Sequence, residues 1–203
     1  MINIGNSFTL DLNLPDEAIP LHMIWVEPRK FTMGDSKLHS YERDIFNMYE
    51  DDLEEAYPFR KWKVELTKGY WLAKYPTTQA HWNSIGMNDV IKNIKLYDTI
   101  QKRYHRENNL ISKFADEYNF PVYKANWLDA ILFCQTLNMK YKDILPKGYH
   151  FNLPTEAQWE CAVLTNDYQE TKVDDYLEYL EVKEIIEGTD ENSWGFSNMI
   201  GNV

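Results

Sequence analysis

The stretch Phe151-Asn152-Leu153-Pro154-Thr155-Glu156-Ala157-Gln158-Trp159-Glu160 constrains this chain more than any other. Residues 149–153 read as a short strand. Pro154 stops it and restricts Leu153 to an extended backbone. Thr155 then opens a helix as a capping box: its hydroxyl accepts from the Gln158 amide, and Gln158 reaches back to the Thr155 amide. Trp159 and Ala162 fall on one face of that helix, a turn apart.

Similar punctuation recurs along the chain. Residues 1–20 read as a polar lead-in with a turn at Pro15-Asp16. Met23-Ile24-Trp25-Val26 and Phe31-Thr32-Met33-Gly34 read as two strands joined by a turn, a hairpin. Val64-Glu65-Leu66 alternates as a half-buried strand does, Gly69 breaks it, and residues 70–75 form another strand. Thr77 is placed to cap a helix carrying Ala80, Trp82 and Ile85. Asn126 caps a further helix in which Trp127, Ala130, Ile131, Cys134 and Leu137 recur at helical spacing.

Between these elements lie three less regular regions. Residues 35–61 are charged and aromatic, with helical spacing near 40–56. Residues 86–120 hold a small basic patch at Arg103, His105 and Arg106. Residues 167–191 form an acidic stretch with a helical apolar stripe through Val173, Tyr176, Leu177, Leu180 and Ile185.

A chain of 203 residues is expected to be one domain that buries roughly 70% of its unfolded surface. Its apolar share is 44% and its aromatic share 15%, a composition that packs a core. The net charge of −11 disfavours nucleic acid and anionic membranes, which select clustered cations. No secretory leader and no long apolar run is evident, so a cytoplasmic protein with no membrane association is expected. Cys134 and Cys161 sit in helical patterns among apolar neighbours and read as buried free thiols. The histidines His22, His39, His81, His105 and His150 form no H-x-H or H-x-x-x-H pair, so no metal motif is visible.

The wording of these motifs resembles one family. Leu-Pro-Thr-Glu-Ala-Gln-Trp-Glu at 153–160 is similar to the hallmark of the formylglycine-generating enzyme, or sulfatase-modifying factor, family. So is the closing Asn192-Ser193-Trp194-Gly195-Phe196-Ser197-Asn198-Met199-Ile200-Gly201-Asn202-Val203. Residues 23–34, 64–82 and 121–134 resemble the family's earlier segments, in the same order. The resemblance implies an α+β, C-type-lectin-like fold with short twisted strands, several helices and much irregular chain. It implies one sulfatase-modifying-factor-like domain over 1–203, with family-atypical insertions near 35–61 and 86–120 and the acidic segment 167–191.

Active members of that family resemble one another in a cysteine pair placed after Gly-Asn-Val-Trp-Glu-Trp. Those thiolates hold copper while oxygen converts a sulfatase cysteine to formylglycine. Cys134 and Cys161 do not match that pair. The expectation is therefore a non-catalytic binding or scaffolding module for a protein or peptide ligand. The alternative is a copper- and oxygen-dependent oxidase whose catalytic C-terminal part is missing from this chain. A third reading has the acidic segments 35–57 and 167–191 bind a ligand.

The resemblance also implies a partial calcium site at Asn202 and Val203, short of the six to eight oxygens that calcium takes. Otherwise no cofactor is expected, copper entering only with a missing C-terminal part. Asn152 stands where the family commonly has arginine, so the guanidinium fork is lost. Glu156 and Glu160, four apart on one helix, read as a cap and a buried acceptor in preference to a catalytic acid pair. An uncompleted C-terminal edge is expected to favour self-association.

Overall fold

Two small antiparallel sheets and four helices make up the described part of the chain, a mixed α+β architecture. The computed structural model describes residues 2–34, 61–93, 118–123, 125–164, 184–185, 188 and 191–199. The expected helix near 40–56, the basic patch at Arg103, His105 and Arg106, most of the acidic stripe, and Asn202 with Val203 lie outside the described residues.

The first sheet has the order β1 (Phe8–Leu10), β2 (Leu21–Val26), β5 (Tyr70–Ala73). The second pairs β3 (Arg29–Met33) with β4 (Trp62–Leu66). The expected β2–β3 hairpin does not form. Glu27-Pro28 is a corner: β2 takes β1 and β5 as neighbours, and β3 leaves for β4. A proline at that corner has no amide to give to a ladder, which favours the exit. Nor is the lead-in merely polar. Phe8-Thr9-Leu10 pairs with β2, and Leu10, Leu12, Ala18 and Ile19 are buried. The turn at Pro15 is present, with Ala18 N–H donating to Pro15 C=O.

Three of the helices open on capping boxes. Helix α1 (Gln79–Ser84) is capped by Thr78, not Thr77. The reason is His81, whose amide donates to Thr78 Oγ1 and whose Nδ1 accepts the Thr78 amide at 3.1 Å. Helix α2 (Met87–Asn93) follows. Helix α3 (Trp127–Tyr141) starts at Asn126, with Asp129 returning the bond, and a 3-10 turn (Lys142–Ile144) ends it. Helix α4 (Glu156–Val163) starts at Thr155 with Gln158 as the reciprocal partner, as the motif predicts. The tryptophans of α3 and α4 are not their packed members. Trp127 is 67% exposed and Trp159 41%, so the packed faces are carried by Phe133, Cys134 and Leu137 and by Cys161, Ala162 and Val163.

Alternation along the strands gives the first sheet two buried faces. Leu10 and Leu21 point to a core shared with Trp82, Ile85, Met87 and Phe133, where the Trp82 and Phe133 rings stack 4° from parallel. Val26 and Tyr70 point to a second core with Ala162 and Phe196. Asn192 ties the C-terminal turn there: its Nδ2 donates to Ala162 C=O, and its Oδ1 accepts the amides of Trp194 and Phe196. Among the described residues no helix is long and apolar enough to cross a membrane.

Candidate functional site

A cleft of about 350 Å³ opens beside β5. One wall is the strand and its approach, Lys68 to Leu72. The other is the chain from Gly148 to Thr155, with Phe8 and Met23 contributing from β1 and β2. Phe8, Met23 and Trp71 share one sheet face because β1, β2 and β5 are in antiparallel register, with Phe8 opposite Met23 and Trp25 opposite Trp71.

The aromatic rings there form a contiguous set. Trp25 and Trp71 meet edge to face at 4.6 Å, Trp71 and Tyr149 at 4.9 Å, and Phe8 and Trp71 at 5.6 Å. Such contacts add to area burial and hold the rings in place. Trp71 Nε1 donates to Asn6 C=O at 2.8 Å, whereas Trp25 Nε1 is buried with no hydrogen-bond partner. Gly69 lies against the Trp25 indole with no room for a Cβ. That close approach is why a glycine interrupts the run between β4 and β5.

The far wall is extended chain, not the expected strand. Residues 149–153 join no ladder. Asn138 on α3 substitutes for a partner strand by bonding both backbone groups of Phe151. The cation of the cleft is Lys68. Its ammonium donates to Gly148 C=O at 2.8 Å and lies 3.9 Å from the Tyr149 ring centroid. His150 and Asn152 line the same wall and are exposed.

Apart from His150, the titratable groups singled out from the sequence that the structure describes go elsewhere. His81 is fully buried, and its Nε2 donates to Ile19 C=O at 2.8 Å, the tautomer that its Nδ1 contact with the Thr78 amide requires. Burial first, and the neighbouring His22 second, hold its pKa down to about 4 against the pull of the Ile19 bond. His22 Nδ1 bonds Thr9 Oγ1. His39 and His105 lie outside the described residues. Glu160 Oε1 accepts the Gly34 amide at 2.5 Å, and Glu156 is exposed in the first turn of α4, so the two carboxylates do not converge as an acid pair.

Cys134 lies in the helical core, where burial pushes its thiol up to about 11. Cys161 lies against the other face of the sheet, beside Tyr70, whose hydroxyl donates to Gln158 C=O at 2.6 Å. Burial raises the Cys161 thiol too, outweighing the nearby Arg29 and the Tyr70 bond. Burial, with Cys161 close by, lifts the Tyr70 hydroxyl well above its ordinary value. Arg29 itself stacks over Trp194, 4.1 Å from the ring centroid.

A family model, the sulfatase-modifying factor enzyme 1-like domain, matches residues 13–203. The chain belongs to that family. No curated protein and no solved structure matches it. The sulfatase-modifying-factor chemistry that the family resemblance implies calls for two adjacent thiolates on copper. The two cysteines of this chain are both free, both buried, both held as thiols, and divided between the two faces of a sheet. They do not fit that role. Among the described residues no three His, Cys, Asp or Glu side chains converge on a metal position. The calcium expectation rests on Asn202 and Val203, outside the described residues.

Several residues that line the cleft or support its walls gave little signal in the sequence. Lys68 reads as a charge before a glycine, and Asn138 as one polar position on a helix. Trp25 and Trp71 were each assigned to strands, but their pairing depends on a register that no local pattern encodes.

Proposed function

We propose that this sulfatase-modifying-factor domain is a non-catalytic binding module and that the cleft beside β5 receives its protein or peptide ligand. The observation that carries this reading is the cleft itself: fixed aromatic rings, a cation at the rim, and walls held by hydrogen bonds from the scaffold. Sites of this kind are concave, mostly apolar and largely formed before the ligand arrives. The separation of Cys134 from Cys161 supports the non-catalytic half. A single C-type-lectin-like domain over residues 1–203 belongs to the same reading, supported by the extent of the family match and the mixed sheets and helices; a cytoplasmic location is proposed with it. The reading requires no cofactor, and Asn202 with Val203 stands as a partial calcium site.

Two measurements test it. A Cys-x-Pro-x-Arg peptide incubated with this chain, copper and oxygen is expected to keep its mass. Formylglycine in the product spectrum would overturn the non-catalytic half. A random-peptide display library panned on the chain is expected to enrich ligands that a folded Trp71→Ala variant no longer retains. Ligands indifferent to Trp71→Ala would remove the cleft from the reading.

A further inference from the structure

We infer that the cleft takes an extended, acidic segment of a partner protein, which adds as a strand to the outer edge of β5. The inference rests on the binding-module reading and specifies the partner of that same site.

The first argument is the ladder. Lys74 N–H donates to His22 C=O, and the β2–β5 register pairs Ile24 with Leu72, Trp25 with Trp71 and Val26 with Tyr70. Hydrogen-bonded pairs alternate with non-bonded ones in an antiparallel ladder. Ile24–Leu72 and Val26–Tyr70 are then the bonded pairs, and Trp71 directs its N–H and C=O away from β2. Trp25 agrees from the other side, its amide turning away from β5 to Ser7 Oγ. Strand β5 is an outer strand, and among the described residues nothing pairs with the Trp71 backbone.

The second argument is the opposite wall. Asn138 occupies both backbone groups of Phe151 on the α3 side. Successive residues of an extended chain direct their backbone groups to opposite sides. Those of His150 and Asn152 therefore turn away from α3, and among the described residues they have no partner. Trp71, His150 and Asn152 all line the cleft. An occupant with backbone donors and acceptors along its length satisfies both walls, and an extended peptide is such an occupant. The volume of about 350 Å³ accommodates a few residues of chain.

The third argument is charge. An ammonium has three donors. Lys68 gives one to Gly148, and among the described residues no carboxylate pairs with it. In a chain of net charge −11, an uncompensated cation at the mouth of an apolar cleft favours a carboxylate on the incoming strand.

The test uses three short fluorescein-labelled probes and the full chain. One probe alternates valine and glutamate, the second has lysine for glutamate, and the third is the glutamate peptide N-methylated at alternate amides. By polarisation the glutamate probe is expected to bind saturably. The lysine and N-methylated probes are expected to bind about tenfold or more weakly, through lost charge pairing and lost ladder bonds respectively. Lys68→Gln, which keeps a donor for Gly148, should erase the preference for glutamate over lysine.

Equal binding of the N-methylated probe overturns strand addition and leaves the binding module intact. Equal binding of the lysine probe overturns the acidic partner. If no probe binds while the display library yields a ligand dependent on Trp71, the inference fails alone. If the library also yields none, both fail.

Discussion

Asn138 grips Phe151 from both sides: its Nδ2 donates to the Phe151 carbonyl at 2.7 Å, and its Oδ1 accepts the Phe151 amide at 2.8 Å. One side chain thus does the work of a neighbouring strand. It sets the path of residues 149–153, and with it one wall of the cleft. Asn138→Leu keeps the volume and removes both bonds, leaving two half-buried backbone groups without partners. The expected cost is about 2 kcal/mol. Urea denaturation should show a lower midpoint at unchanged slope, and retention of library-selected ligands should fall.

His81 gives the fold an acid limit. Its ring is neutral, with Nδ1 facing the Thr78 amide and Nε2 bound to Ile19 C=O, so protonation would set two N–H groups against each other. The folded pKa of about 4 lies below the ordinary 6.5. The neutral form is therefore favoured in the folded state. Its contribution is fully present above pH 6.5 and is lost as pH falls toward 4, to a limit of about 3 kcal/mol. A series of urea melts across that window should show stability declining with acid, and His81→Gln should flatten the decline. An unchanged slope in the variant would assign the acid sensitivity to other groups.

Most local chemistry in this chain was legible, with the cap of α1 misplaced by one residue at Thr77, and long-range register was not. The Thr155–Gln158 box, the Asn126 cap and the turn at Pro15 are read from residues three or four apart, and all three stand in the structure. The mixed α+β class and the family follow from the same motifs. The β2–β3 hairpin failed because two short strands divided by Glu27-Pro28 are equally consistent with a corner, and only β4 and β5, distant in sequence, decide between them. The exposure of Trp127 and Trp159 was not legible for a related reason. Helical spacing identifies a stripe, but Trp127 sits in the first turn of α3, whose buried side includes Asp129. The cleft was the least legible feature. It needs the β5 wall with Lys68 and Trp71, the chain from Gly148 to Thr155, and Asn138 on α3 that holds that chain, and each residue alone has an ordinary structural explanation.

Gly69, in the β5 wall of the cleft, lies closely against Trp25. A Cβ there would overlap the six-membered ring of Trp25, which is itself held against Trp71 and Tyr149. The indole cannot yield without disturbing that set. Gly69→Ala is expected to destabilise by about 1–3 kcal/mol, the usual range for overpacking. Near-ultraviolet circular dichroism should change along with the unfolding midpoint, since the displaced chromophores are tryptophans. A stable variant with an unaltered aromatic spectrum would show that Trp25 has room to move.

The thiols give a prediction about reactivity that bears directly on catalysis. A thiolate is the nucleophile and the soft-metal ligand, and burial disfavours it. Cys134 is pushed up to about 11, Cys161 is raised as well, and both are nearly inaccessible. Titration of the native chain with a chromogenic disulfide near about pH 8 should therefore label neither cysteine promptly, and both should react once denaturant is added. Labelling at a rate matching global unfolding would place both thiols in the cooperative core. Prompt labelling of Cys161 alone would mean that α4 lifts from the sheet in the native state. A pair reacting together and quickly, with added copper protecting both, would contradict their assignment to opposite faces of the sheet and overturn the non-catalytic reading.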